Sequence, residues 1–146
     1  NKITNFTEFI DDWDNWGEQI ENQLGTTDIS FSPSVVASNN INWEPVDNLN
    51  ISLVSKYVGK QYIDNTSNDE RSLDAYFVNN LNFNYEIKNS LFKNAQLKFS
   101  IINVFDELYE SNAWVYRYYY NGKEENLNGY FPQAGRHFML GIEIGI

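Results

Sequence analysis

The densest collection of chemically capable side chains is Trp114-Val115-Tyr116-Arg117-Tyr118-Tyr119-Tyr120, followed by Gly122, Gly129 and Tyr130-Phe131. Aromatic faces beside one guanidinium can stack on a planar ligand, a sugar ring or a catecholate, and Arg117 can pair with an anionic group. Trp114, Tyr116, Arg117, Tyr118 and Tyr120 are therefore the candidate ligand contacts, set against the plainer reading that these rings extend neighbouring strands. Asp11, Asp12 and Asp14 offer oxygens to a hard cation, but they lack the Gly and downstream Glu of a calcium-binding loop and read as a solvated loop. His137 is the only histidine and there is no cysteine, so neither a His-based triad nor a multi-His or thiolate metal site can be built within this chain. There is no Gly-rich phosphate loop and no Gly-x-Ser-x-Gly elbow. The expectation is a chain with no catalytic residue, no metal and no cofactor, and not an enzyme.

Five stretches alternate apolar and polar side chains with a period of two, which belongs to strands with one apolar side. Over residues 29–43, Ile29, Phe31, Pro33, Val35, Ala37, Ile41 and Trp43 fall on one face, and Ser30, Ser32, Ser34, Ser38, Asn40 and Asn42 on the other. Further strands are expected over 49–62, 73–87, 95–105 and 137–146. Residues 1–28 are acidic and poorly periodic, and read as a long loop preceded by the end of an earlier strand. The connections at 44–48 and 88–94 are short, whereas those at 63–72 and 106–136 are long.

Short and long connections in alternation are the habit of up-and-down outer-membrane barrels, with short periplasmic turns and long extracellular loops. Residues 63–72 and 106–136 are then extracellular. The polar faces are mostly Ser and Asn, which suits a hydrated lumen better than a soluble sheet surface. A last strand carrying Phe138, Leu140, Ile142, Ile144 and Ile146 on one face suits a strand that must pair with the first so that no edge is left in lipid. Five strands cannot close such a barrel, so the chain reads as the C-terminal piece of a larger protein, with its signal peptide upstream. Trp43, Tyr57, Tyr62, Phe77, Tyr85, Phe99, Phe105 and Phe138 are the candidate membrane girdle.

Composition narrows the partners. Of 146 residues, Lys+Arg number 10 against Asp+Glu 20, a formal net charge of −10. Nucleic-acid binders need a basic stripe, and this chain has none. No run approaches the roughly 18 apolar residues of a membrane helix, which says nothing against strands.

Particular residues add to the pattern. Trp43-Glu44-Pro45, the run Leu53-Val54-Ser55-Lys56-Tyr57-Val58-Gly59-Lys60-Gln61-Tyr62-Ile63-Asp64-Asn65-Thr66, and Leu73-Asp74-Ala75-Tyr76-Phe77-Val78-Asn79-Asn80-Leu81 resemble the C-terminal barrel of TonB-dependent receptors of Bacteroidetes-type outer membranes. So do Ile102-Asn103-Val104-Phe105-Asp106-Glu107-Leu108-Tyr109-Glu110-Ser111-Asn112 and Gly129-Tyr130-Phe131-Pro132-Gln133-Ala134-Gly135-Arg136. The resemblance covers essentially the whole chain; one departure is Ile146, where such barrels often end in Phe. It implies an all-β, antiparallel, up-and-down transmembrane barrel segment, the last five or so strands of a barrel of roughly 22. The implied partners are outer-membrane lipid, the remaining barrel and plug, and the TonB complex through the upstream part. The implied cargo is a scarce nutrient: an iron–siderophore, haem, cobalamin, a glycan or a peptide. The rival from another class is a soluble, secreted all-β module that binds a carbohydrate or other ligand.

Overall fold

Alternating segments become strands wherever neighbouring positions keep extended backbone, and a left-handed residue either bulges a strand, as Asn5 does, or ends the extended run. The computed structural model describes residues 1–89 and 92–145, with backbone only at residues 89 and 92–94. The described residues form eleven strands and no helix: β1 (Lys2–Asp12), β2 (Glu18–Asp28), β3 (Val36–Val46), β4 (Leu49–Val58), β5 (Gln61–Tyr62), β6 (Ser72–Leu73), β7 (Tyr76–Asn89), β8 (Phe92–Ile102), β9 (Glu110–Tyr120), β10 (Lys123–Pro132) and β11 (His137–Gly145). The chain is all-β, and its pairings are antiparallel except for a short parallel bridge between β1 and β9. It divides into two compact units.

One unit holds Val36–Val58, Tyr76–Leu108 and the chain from Ala134 onward. Its sheet has the order β11-β8-β7-β4-β3, so each strand lies beside the one before it in this unit. The registers bring the apolar positions together. Ile41 lies opposite Leu53, Leu53 opposite Leu81, Leu81 opposite Ile101, and Ile101 opposite Phe138. One row along, Trp43, Ile51, Phe83, Phe99 and Leu140 are matched in the same way. The rings of Phe83 and Phe99 have centroids 5.9 Å apart, and those of Phe99 and Phe138 stack at 6.2 Å. One face is thus apolar across all five strands, interrupted by the polar row Asn39, Ser55 and Asn79, in which the Ser55 hydroxyl donates to Asn79 Oδ1 at 2.6 Å. The opposite face carries Asn, Ser, Lys and Glu: Ser100 donates to Asn82 Oδ1 at 2.8 Å, and Lys98 pairs with Glu143.

The strand limits differ from those read in the sequence. The stretch 29–43 is not one strand, because Phe31 sits at φ 52° and breaks the extended run; β3 begins only at Val36. Its neighbour ends at Val58, so Tyr62 is not on this sheet at all. The strand expected over 73–87 begins at Tyr76 and runs to Asn89. The one expected over 95–105 spans Phe92–Ile102, because Asn103 (φ 55°) and Asp106 (φ 58°) turn the chain. Asn103 is buried, its Nδ2 donating to the Glu107 carbonyl at 2.8 Å while its Oδ1 accepts from the Glu107 amide at 2.9 Å. Phe105 therefore lies in a turn beyond the strand, 73% exposed. Part of the turn expected at 88–94, and Ile146, lie outside the described residues.

The other unit, hereafter the first unit because it holds Asn1, gathers Asn1–Val35, Gly59–Ala75 and Tyr109–Gln133. Residues 1–28, expected as a loop, form the hairpin β1–β2; residues 106–136, also expected as a loop, contain the hairpin β9–β10. The second hairpin turns on Asn121-Gly122, both with positive φ, which matches the twist of the flanking strands. The sheet order is β10-β9-β1-β2. Ile63, Leu73 and Ala113 form a small buried core with Val115 packed against it. Segment 63–72, expected as a loop, is bracketed by the β5–β6 ladder.

Candidate functional site

Strand alternation decides what β9 can do. Trp114, Tyr116, Tyr118 and Tyr120 share one face, and Ala113, Val115, Arg117 and Tyr119 share the other. Arg117 therefore does not stand among the aromatics as a ligand-facing cation. Its face is the inner one, with the core residues Ala113 and Val115.

There Arg117 is held by two carboxylates. Its Nη1 pairs with Glu8, and its Nε and Nη2 reach Glu124 Oε1 at 2.8 Å and 2.6 Å. Arg71 continues the chain, 3.8 Å from the same Glu124 oxygen, while its Nε donates to Asp64 Oδ2 at 2.7 Å and its Nη2 to Thr66 Oγ1 at 2.8 Å. The side chains of Arg71, Arg117 and Glu8 are 8%, 11% and 9% exposed. Burial works against the Arg117 charge, but the bonds from Glu8 and Glu124 outweigh it and hold the guanidinium firmly protonated. Arg117 was expected to pair with an anionic ligand; in the structure its guanidinium pairs with Glu8 and Glu124 of the protein itself.

The outer face is aromatic and acidic. Trp13 stacks on Tyr118 with centroids 4.3 Å apart, and Tyr118 stacks on Tyr116 at 5.8 Å. The Tyr116 hydroxyl donates to Asp11 Oδ2 at 2.8 Å, and Gln19 Nε2 donates to Asp11 Oδ1 at 2.9 Å. The Gln19 bond, then the Tyr116 bond, holds the Asp11 carboxyl below its usual range; Asp11 in turn pushes the Tyr116 phenol up. A cleft of about 590 Å³ opens beside this stack, walled by Trp13, Trp16 and Tyr116 and edged by Asp11, Asp12 and Glu18. Trp16 is 92% exposed at the tip of the β1–β2 hairpin.

Each aspartate of the acidic segment has a structural task. Asp12 accepts from the amides of Asp14 and Asn15 and from the Asn15 side chain, and the last of these bonds chiefly keeps its carboxyl below the usual range. Asp14 accepts from the amides of Asn121 and Gly122 at 2.8 Å each, fastening the β1–β2 loop to the β9–β10 turn.

Of the residues expected to contact ligand, Tyr116 lines the cleft and Tyr118 backs it through Trp13, whereas Trp114 and Tyr120 are exposed on the same strand face farther along. The Trp114 indole lies across Gly129, where a Cβ would meet Nε1 at 2.4 Å. Trp13 and Trp16 were not among the sequence candidates. The signal that would have found them is Asn121-Gly122, which marks 110–132 as a hairpin needing partner strands.

Among the girdle candidates, Trp43, Tyr57, Phe77, Tyr85, Phe99 and Phe138 lie on the five-stranded sheet. Tyr62 does not: its hydroxyl donates to Asp69 Oδ1 at 3.1 Å beside Lys60, in the other unit. Comparison with known protein families, curated proteins and solved structures finds nothing that matches this chain.

Proposed function

We propose that this chain is the C-terminal part of the barrel of a TonB-dependent outer-membrane receptor, whose parent imports a scarce nutrient. The observation that carries the reading is the apolar face of the five-stranded sheet. Phe138, Leu140 and Ile142 on β11 and Ile41 and Trp43 on β3 are each more than half exposed. Contiguous apolar surface of that extent is rare on soluble monomers, and lipid is the solvent that suits it. From Leu49 to Tyr57 the strand climbs about 26 Å at the rise of an extended chain, close to the roughly 25 Å apolar band of such barrels. Aromatic residues stand at both ends of that span: Trp43 and Tyr85 toward the β3–β4 turn, Tyr57 opposite Phe77 at the other end. The Asn- and Ser-rich opposite face suits a hydrated lumen.

Connectivity supports the same reading. All the longer insertions between these strands fall in the first unit, and the β3–β4 turn at Asp47-Asn48 is two residues long. In a receptor the first unit is the ligand-facing side. The rival soluble module requires a second layer over the apolar face.

The test is the intact mass and location of the native polypeptide bearing this sequence. A product several times 17.1 kDa in the outer-membrane fraction supports the receptor. A soluble species of about that mass overturns it and favours the secreted binding module.

A further inference from the structure

We propose that the cleft at the tip of the β1–β2 hairpin binds an organic cation: an ammonium or guanidinium group carried on an aliphatic chain, such as a basic side chain of a short peptide. The inference rests on reading the first unit as the ligand-facing part of a receptor. It deepens that reading by naming the chemistry the site selects.

Three features of the cleft converge. Its walls are the indoles of Trp13 and Trp16 and the phenol ring of Tyr116, whose π-faces attract a cation placed over them. Its rim holds Asp11, Asp12 and Glu18, and no Lys, Arg or His lines it. A cation entering meets carboxylates on one side and ring faces on the other, while an anion meets only repulsion. Asp11 and Asp12 are already committed to Gln19, Tyr116 and the hairpin loop, so they supply field more than new bonds. Glu18 stands exposed at the start of β2 and is the carboxylate placed to form a direct ion pair with the ligand. Trp16, almost wholly in solvent, supplies a ring face that nothing in its own unit covers.

A saccharide also stacks on indoles. The cation is preferred because the rim is uniformly acidic, and the neutral ligand is the contrasting arm of the test. Binding is measured by calorimetry on the whole receptor purified in detergent micelles, with trilysine, triglutamate and maltohexaose as probes. Heat-modifiable migration of the same sample reports the barrel independently, so a failed cleft and a failed receptor are distinguishable. The expected result is saturable trilysine binding that Trp16→Ala weakens on the order of tenfold and that 0.5 M salt weakens several-fold. Trp16→Ala leaves every charge in place, so its effect separates the site from the general attraction of an acidic chain. Glu18→Gln is expected to weaken trilysine a few-fold while leaving the fold intact. Saturable maltohexaose binding without trilysine binding, no binding of any probe, or trilysine binding indifferent to Trp16→Ala each overturns the proposal.

Discussion

The indole of Trp114 lies flat across Gly129 on the neighbouring strand, so close that a methyl group there would sit 2.4 Å from Nε1 and 2.8 Å from Cε2. The two residues face each other in register on β9 and β10. Glycine here serves close approach rather than an unusual backbone angle. Gly129→Ala must swing the half-exposed ring out of its place, at a cost of about 1 kcal/mol. The expected result is a changed near-UV circular dichroism band with the hairpin retained. An unaltered spectrum would show that the ring does not depend on the missing Cβ.

Arg117 anchors Glu8 and Glu124 on the inner face of the same strand. Arg117→Ala leaves a nearly buried Glu8 without its counter-ion and is expected to cost about 3 kcal/mol. Removing both charges with Arg117→Leu and Glu8→Leu should restore much of that loss, because the nearly buried carboxylate is then gone and the more exposed Glu124 keeps Arg71 beside it. Denaturation midpoints for the two singles and the double decide the point, and additive losses would contradict it.

Asp11 and Tyr116 give the outer face a defined pH window. The Asp11 carboxyl is held below its usual value by Gln19 and then by Tyr116, so its contribution is present above the unfolded carboxylate range and is lost as pH falls through the lowered folded value. The Tyr116 phenol is raised by Asp11, so its contribution is present below the unfolded phenol range and is lost as pH rises through the raised folded value. Absorbance titration of the tyrosines should show, beside Tyr62, which Asp69 also raises, a late-ionising phenol that is absent in Tyr116→Phe and returns toward the ordinary range in Asp11→Asn. An identical titration in Asp11→Asn would remove the coupling.

Phe83 and Asn82 are adjacent in β7 but lie on opposite faces of the sheet. If the apolar face meets lipid, Phe83→Lys costs assembly roughly 2–4 kcal/mol at mid-membrane depth, and Asn82→Lys costs little. Folding into lipid vesicles, followed by gel migration, measures both. Equal tolerance at the two positions would argue against a lipid-facing sheet.

How much of this was legible in the sequence differs between the units. The five-stranded sheet was readable because each strand has one mostly apolar side, and a period of two survives errors of a few residues at its ends. The errors at 29–43 and 95–105 came from Phe31, Asn103 and Asp106, whose left-handed backbones leave no trace in hydropathy. The first unit was misread because β1 mixes acids and aromatics on both faces and β2 is mostly polar, so neither shows clean alternation. Tyr116 and Tyr118, candidates for their rings, stand in the aromatic stack beside the cleft. The inward facing of Arg117 was not legible, because a stretch taken for a loop carries no expectation of facing.

The charge network Asp64–Arg71–Glu124–Arg117–Glu8 takes members from each of the three separate chain segments of the first unit. Those segments are therefore heritable only as a set. Grafting one of them from a relative with different ligand preference would strand a buried carboxylate or guanidinium in the other two. Diversification of these segments is thus expected to proceed by changes at the hairpin tips, where Trp16 and Glu18 are exposed, and by exchange of all three segments together.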